Sequence, residues 1–157
     1  MDAIAALLQR VGTYSGHGIS HEDEPFHGEL EISRLVDDQG VTMRFRAQSI
    51  DGTVLHDERT WVARDEGARV RMWSIHSNGA GVRQREPRNG APAAGADRTL
   101  VFGLGDPSDP HAYREEVALD LWPDGSVSYR YAWGLPGGTM APRSSVRLKR
   151  EARSGQK

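Results

Sequence analysis

Val11-Gly12-Thr13-Tyr14-Ser15-Gly16-His17-Gly18 follows directly on a short helical pattern and sets three glycines around Tyr14 and His17. Glycine inside a strand marks a bend, a bulge or the close approach of another backbone. A first strand this poor in side chains suits the wall of a small antiparallel barrel, where it must curve sharply and let a neighbour pack across it. By itself the stretch reads equally as a glycine-rich loop. The flanking segments decide, because nearly all of them read as short strands in need of a partner.

On the N-terminal side, Asp2 is placed to cap a helix whose apolar positions are Ile4, Leu7, Leu8 and Val11, at i, i+3, i+4 and i+7. Gly12 is expected to stop it. A helix of about two to three turns is not stable alone in water, so its apolar stripe must lie on a barrel mouth or wall.

On the C-terminal side, Phe26, Leu30 and Ile32 alternate with Glu29 and Glu31, the period-two signature of a half-buried strand. Val41, Met43, Phe45 and Ala47 alternate with Thr42, Arg44 and Arg46. Asp51-Gly52 marks a hairpin. Leu55 to Ala63 continues the pattern, and Val70, Met72, Ser74 and His76 then share a face opposite Arg69, Arg71, Trp73 and Ile75. After the Asn78-Gly79 turn come a short polar strand from Gly81 to Glu86, a Pro/Gly/Ala-rich loop from Pro87 to Asp97, and an apolar strand from Thr99 to Leu104. Tyr113 to Trp122 and Val127 to Trp133 form a hairpin, with Val127, Tyr129, Tyr131 and Trp133 on one face. Ser144 to Leu148 makes a last strand. About ten short strands in meander order, each needing its edges hidden, predict an all-β fold: an up-and-down antiparallel barrel of the calycin kind with a short N-terminal helix. A two-layer sandwich is the runner-up. One domain is expected over residues 1–150, with a charged tail at 151–157.

Composition narrows the function. The chain has 157 residues, 37% hydrophobic and 27% charged, and its formal net charge of -2 gives no electrostatic footprint for nucleic acid or an anionic membrane. It has no cysteine, so disulfides and thiolate zinc sites are excluded and the redox compartment stays open. No basic region followed by an apolar run opens the sequence, and no apolar stretch is long enough to span a bilayer. A cytoplasmic protein is expected, with its oligomeric state open.

The segments together resemble the nitrobindin family, ten-stranded fatty-acid-binding-protein-like barrels of the calycin group. The motifs are Gly12-Thr13-Tyr14-Ser15-Gly16-His17-Gly18, similar to the family's Gly-x-Trp-x-Gly-x-Gly opening, then Glu24-Pro25-Phe26 and Leu55-His56-Asp57-Glu58-Arg59. Ile75-His76-Ser77-Asn78-Gly79, the strand through Gln84 and Glu86, and the closing Val146-Arg147-Leu148-Lys149-Arg150 complete the match. Tyr14 stands where the family has tryptophan, a change between two large aromatics with a polar handle. The resemblance implies ferric haem held by a histidine that opens the last strand, and isomerisation of peroxynitrite to nitrate. Here that position falls on or next to Arg143, and His111 is the last histidine of the chain. A haem site is therefore not expected. The first reading is then a closed barrel with an apolar interior that binds a small hydrophobic or amphipathic ligand, or none, and the alternative is haem held by a substitute ligand, His76 or a tyrosine.

The expected ligand-binding residues are Met43, Phe45, Met72, His76, Tyr129, Tyr131 and Trp133, all pointing into one interior. Three aromatic rings in one strand are expected to leave a cavity at or below about 300 Å³, the low end for small-molecule pockets, with Trp133 in the core. Arg59 and Asp57 share a face with Leu55 and Trp61; if that face is inward, they form a buried pair able to hold an anion. His17, His21 and His27 lie beside Glu22, Asp23 and Glu24, but glycines and a turn separate them, and no metal site is expected. No nucleophile elbow, Walker loop or His-Glu-x-x-His occurs, so no catalytic residue is assigned. A third class, a partner-binding protein using the loop from Pro87 to Asp97, has only that loop's composition behind it.

Overall fold

The computed structural model describes residues 2–152. Ten strands follow one helix, α1 (Ala3–Leu8): β1 (Gly12–Ile19), β2 (Pro25–Arg34), β3 (Gly40–Gln48), β4 (Val54–Arg64), β5 (Val70–His76), β6 (Arg83–Arg88), β7 (Arg98–Leu104), β8 (Arg114–Leu121), β9 (Val127–Gly134) and β10 (Ala141–Arg150). Each strand pairs antiparallel with its sequence neighbour, and β1 closes the barrel against β10. Closure removes both sheet edges, which a sandwich would have left open.

The glycines of β1 make that seam. A Cβ on Gly16 would collide with the Arg147 carbonyl, and one on Gly18 with the Ser145 carbonyl, both in β10. Earlier in the same strand, Tyr14 is fully buried and donates its hydroxyl to the Arg10 carbonyl at 2.6 Å. The close approach of another backbone expected from the glycine spacing is therefore the closure itself.

α1 plugs one end. Asp2 caps it by accepting from the Ala5 N–H at 2.8 Å, and Ile4, Ala6 and Leu7 face the barrel. They join Leu30, Ile32, Val41, Met43, Val62 and Leu119 in one apolar cluster. Each large aliphatic side chain fully buried there contributes about 1.5–3 kcal/mol relative to exposure. Arg10 donates to the Trp122 carbonyl, and Arg64 pairs with Asp2, so the plug is tied at its rim.

Several expectations need correction. Gly12 does not cap the helix: α1 ends at Leu8, and Gly12 opens β1 opposite Ile32. Pro87 and Arg88 belong to β6, paired with Phe102 and Val101, rather than to the loop that follows. β10 begins at Ala141, well before Ser144, and carries a register shift between Pro142 and Ser144. Proline has no N–H for the ladder, so it sits where the pairing is interrupted. The face of Asp57, Arg59 and Trp61 is outward: Arg59 and Trp61 are exposed, and Asp57 pairs with Arg44 on the barrel surface at 2.8 Å. The inward residues of β4 are Glu58, Thr60 and Val62. Of the charged tail, residues 153–157 lie outside the described residues.

Candidate functional site: a cavity floored by buried charge

The end opposite α1 holds a cavity of about 470 Å³. Its apolar walls are Phe26, Phe45, Ala47, Leu55 and Tyr129, with Phe45 and Tyr129 stacked at 4.3 Å and 7°. Exposed Glu22, Glu24 and Leu135 ring the mouth together with Trp133 and Arg143.

The floor is ionic. Arg85, with no exposed surface, donates Nε to Glu115 at 2.7 Å and Nη1 to Glu58 at 3.3 Å and to Ser74. Glu115 also accepts from the hydroxyls of Tyr113 and Tyr131 and from Arg83. Glu58 accepts from Thr60 at 3.2 Å and from Tyr129 at 3.4 Å. Two arginines thus face two carboxylates, and the charges cancel. Burial opposes ionisation of Glu58, but the bond from His56 and the charge of Arg85 outweigh it and hold its pKa at about 2. Glu115 follows the same pattern: burial raises it, while Arg85 and the two tyrosine hydroxyls bring it below the ordinary carboxylate range. Burial, reinforced by Glu115, pushes the Tyr113 and Tyr131 hydroxyls up, so they stay protonated donors.

Two histidines stand above this floor. His56 is fully engaged: Nε2 bonds Glu58 at 3.0 Å, and the Asn78 amide donates to Nδ1 at 3.2 Å while also reaching the Leu55 carbonyl. That pattern assigns the proton of the neutral ring to Nε2. His76 lies alongside at 5.5 Å, only 8% exposed, and neither of its ring nitrogens has a hydrogen-bond partner among the described residues. Burial and then the Arg83 charge lower its pKa below 6.5. A neutral imidazole in a cavity wall, with one donor and one acceptor unspent, is equipped to hold a polar group of a bound molecule.

Of the seven residues expected to line one interior, Phe45, His76, Tyr129, Tyr131 and Trp133 border this cavity, and Met43 and Met72 do not. Both methionines are buried in the packed core beneath it. The reason is the floor: Arg85 Nη1 lies 3.8 Å from Met72 Sδ and seals it below the ionic layer. Trp133 is also displaced from its expected place in the core. It is only half-buried at the mouth, with the Arg143 guanidinium 4.1 Å above its ring and the His21 ring at its edge. The void is accordingly larger than expected. Tyr131 is bonded to Glu115 and Trp133 sits at the rim, while Tyr129 stacks on Phe45.

Arg143 is the extra residue at the β10 irregularity, and its Nε and Nη2 donate to the Trp133 and Thr139 carbonyls at 3.1 Å. A bulge re-aims a side chain, and this one turns an arginine over the mouth. His17 and His27 face each other across β1 and β2 with ring centroids 5.2 Å apart, and His21 sits at the mouth. Among the described residues, no group of three or more histidine or carboxylate side chains could hold a metal ion.

The floor itself went unread in the sequence, although parity pointed to it. Glu58 alternates in phase with Thr60 and Val62, and Glu115 with Val117, Leu119 and Leu121. Arg83 and Arg85 follow once Met72 is paired with Arg85.

No protein-family model matches this sequence, and no curated protein does. Among solved structures, the chain resembles Rv2717c from M. tuberculosis, with TM-score 0.61 and 14% identity over 97% of this chain and 99% of that one. It also matches a de novo designed fluorescence-activating β-barrel at TM-score 0.45 and 18% identity over 90% and 93% of the two chains. The first likeness shows the fold. Together with the closed ten-strand meander, it fits a calycin-like barrel.

Proposed function

We propose that this barrel binds one small hydrophobic or amphipathic molecule in the cavity at its open end, as a nitrobindin-like protein without the family's haem site. The observation that carries the reading is an aromatic-walled cavity of about 470 Å³ whose buried His76 imidazole has no hydrogen-bond partner among the described residues. The volume lies within the range of about 300–1,000 Å³ usual for small-molecule sites, and apolar walls with few polar groups are their usual composition. Nucleic acid and membrane are not proposed as partners. The net charge of -2, which offers no electrostatic footprint for nucleic acid or an anionic membrane, supports leaving both out. A cytoplasmic location belongs to the same proposal, and no reaction is assigned.

The neutral probe N-phenyl-1-naphthylamine should bind with saturable, one-to-one fluorescence enhancement. Ala47→Trp, which fills the cavity from β3, should abolish that enhancement while retaining a cooperative thermal transition. Equal binding to a folded Ala47→Trp variant would place the probe elsewhere and overturn the reading.

Haem fits poorly. Arg143, near the position where the family opens its last strand with histidine, carries a guanidinium that does not ligate iron. The Tyr129 and Tyr131 hydroxyls are bonded to Glu58 and Glu115. Among the buried side chains described, His76 alone keeps a free ligating nitrogen. That leaves His76 as the residue through which the alternative must act; on the proposed reading, hemin gives no Soret shift beyond that of free haem. A sharp band lost in His76→Ala would favour the haem-binding alternative and, with it, peroxynitrite isomerase chemistry.

A further inference from the structure

We infer that the molecule bound in this cavity is a carboxylate, its anionic head held between the guanidinium of Arg83 and the imidazole of His76. This rests on the cavity reading above and names the chemical class that fits it.

Arg83 gives only its Nη1 to protein partners, namely Tyr113, Tyr131 and Glu115. Its Nη2 has no hydrogen-bond partner among the described residues, and the side chain keeps 24% of its surface exposed. His76 has both nitrogens free. The two groups converge on the β5–β6 turn: a Cβ on Gly79 would stand 3.1 Å from Arg83 Nη2 and 3.3 Å from His76 Nε2. Gly79 has no positive φ to require glycine, so its lack of a side chain matters for the space it leaves these donors. A carboxylate can accept from a guanidinium and an imidazole N–H at once, and charge-assisted bonds of this kind are the strong ones. The stacked rings of Phe45 and Tyr129 then offer a flat wall to an aromatic body.

Charge balance adds a proton. The groups facing His76 are Glu58 and His56 of β4, Arg83 of β6, Glu115 of β8, and the neutral Tyr113, Tyr129 and Tyr131; Arg85 of β6 lies behind them, bonded to Glu58 and Glu115. Arg83 and Arg85 already cancel Glu58 and Glu115, so an entering carboxylate brings one uncompensated negative charge. In the empty cavity, burial and Arg83 keep His76 neutral. With the carboxylate beside it, His76 takes one proton from solution, and the site is neutral again.

Calorimetric titration with 2-naphthoate and its neutral isostere 2-naphthamide, in two buffers of different ionisation enthalpy, tests this. Naphthoate should bind at least about tenfold tighter, take up about one proton, and weaken by up to about tenfold per pH unit as pH rises across the transition. His76→Gln keeps a donor and should remove the proton uptake and the pH dependence. Arg83→Gln also leaves Glu115 short of a partner, which costs stability. Gly79→Val, which crowds both donors, therefore serves as the second variant and should erase the preference for naphthoate. Arg34→Gln, on the exposed surface at the other end of β2, should change nothing. Equal binding of acid and amide, or a preference lost with Arg143→Gln but kept in His76→Gln and Gly79→Val, overturns the carboxylate subsite. Binding of N-phenyl-1-naphthylamine with no naphthoate binding does the same and leaves the cavity reading standing. If the neutral probe also fails to bind, the cavity reading itself falls.

Discussion

The two ends of this barrel are built from the same ten strands and the same inward–outward alternation, yet they are stabilised by different physics. Beneath the floor, Leu7, Leu30, Ile32, Val41 and Met72 fill the interior without charged groups, and α1 seals it. At the floor itself, the inward positions of β4, β6 and β8 carry Glu58, Arg83, Arg85 and Glu115. Apolar burial is non-directional and tolerates partial repacking. A buried ion layer does not: removing one member strands the others without water or partner. The cavity persists because of this difference. Side chains of the packed end cannot rise into it without covering the charged layer, and that layer stays in place because Arg85 pairs with both carboxylates, although its Nη2 has no hydrogen-bond partner among the described residues.

The sharpest way to break that contrast is Arg85→Met, which leaves Glu58 and Glu115 without their shared cation. It should destabilise the protein by about 3–5 kcal/mol, read from urea unfolding midpoints. A loss below about 1 kcal/mol would mean that the floor does not depend on its ion pairs. The matching change at the packed end is Leu7→Ala, expected to cost about 2–4 kcal/mol through lost burial and a residual cavity under the plug.

Acid should distinguish the ends next. Glu58, with its pKa held at about 2, and Glu115, also lowered, contribute stability that is fully present above the unfolded carboxylate range and lost as pH falls toward their folded values. His76 acts earlier and through the unfolded state: its folded pKa is depressed, so protonation of the unfolded chain below about pH 6.5 favours unfolding. The melting temperature should begin to decline near pH 6.5 and fall steeply below about pH 4.5. In His76→Gln the first decline should vanish and the second remain.

The smallest effect belongs to the rim. Trp133→Ala removes a half-buried ring and its contact with Arg143, and should cost about 1 kcal/mol or less, a cation–π contribution plus partial burial. Thermal melts of Leu7→Ala and Trp133→Ala side by side rank the plug against the mouth. If Trp133→Ala were the costlier, the mouth would be packed rather than open.

Most of the frame was legible in the residues. The alternation in Val41-Thr42-Met43-Arg44-Phe45-Arg46-Ala47 assigns β3 and its inward face, because a one-residue slip would send every apolar side chain to water. Asp124-Gly125 marks the turn of the β8–β9 hairpin, with Gly125 at φ +82. The site was less legible. Tyr131 and Trp133 share a strand face with Tyr129, and parity treats all three alike. Their fates diverge because Tyr131 meets Glu115, Trp133 meets Arg143, and only Tyr129 meets Phe45. Arg85 reads as part of a polar, solvent-facing strand until its partners across the barrel are known.

The sequence by itself determined the strand count, the meander order, the capped helix at Asp2 and the glycine seam, since each follows from local periodicity and backbone sterics within a few residues. Tertiary structure alone decided that Arg83, Arg85, Glu58 and Glu115 meet, that Met43 and Met72 fall below them, and that Arg143 turns over the mouth. Those outcomes depend on registers summed around a closed barrel: Glu115 and Arg85 are 30 residues apart and lie on strands that do not pair. No local pattern encodes which charges face each other across an interior, because that pairing exists only once β1 has closed against β10.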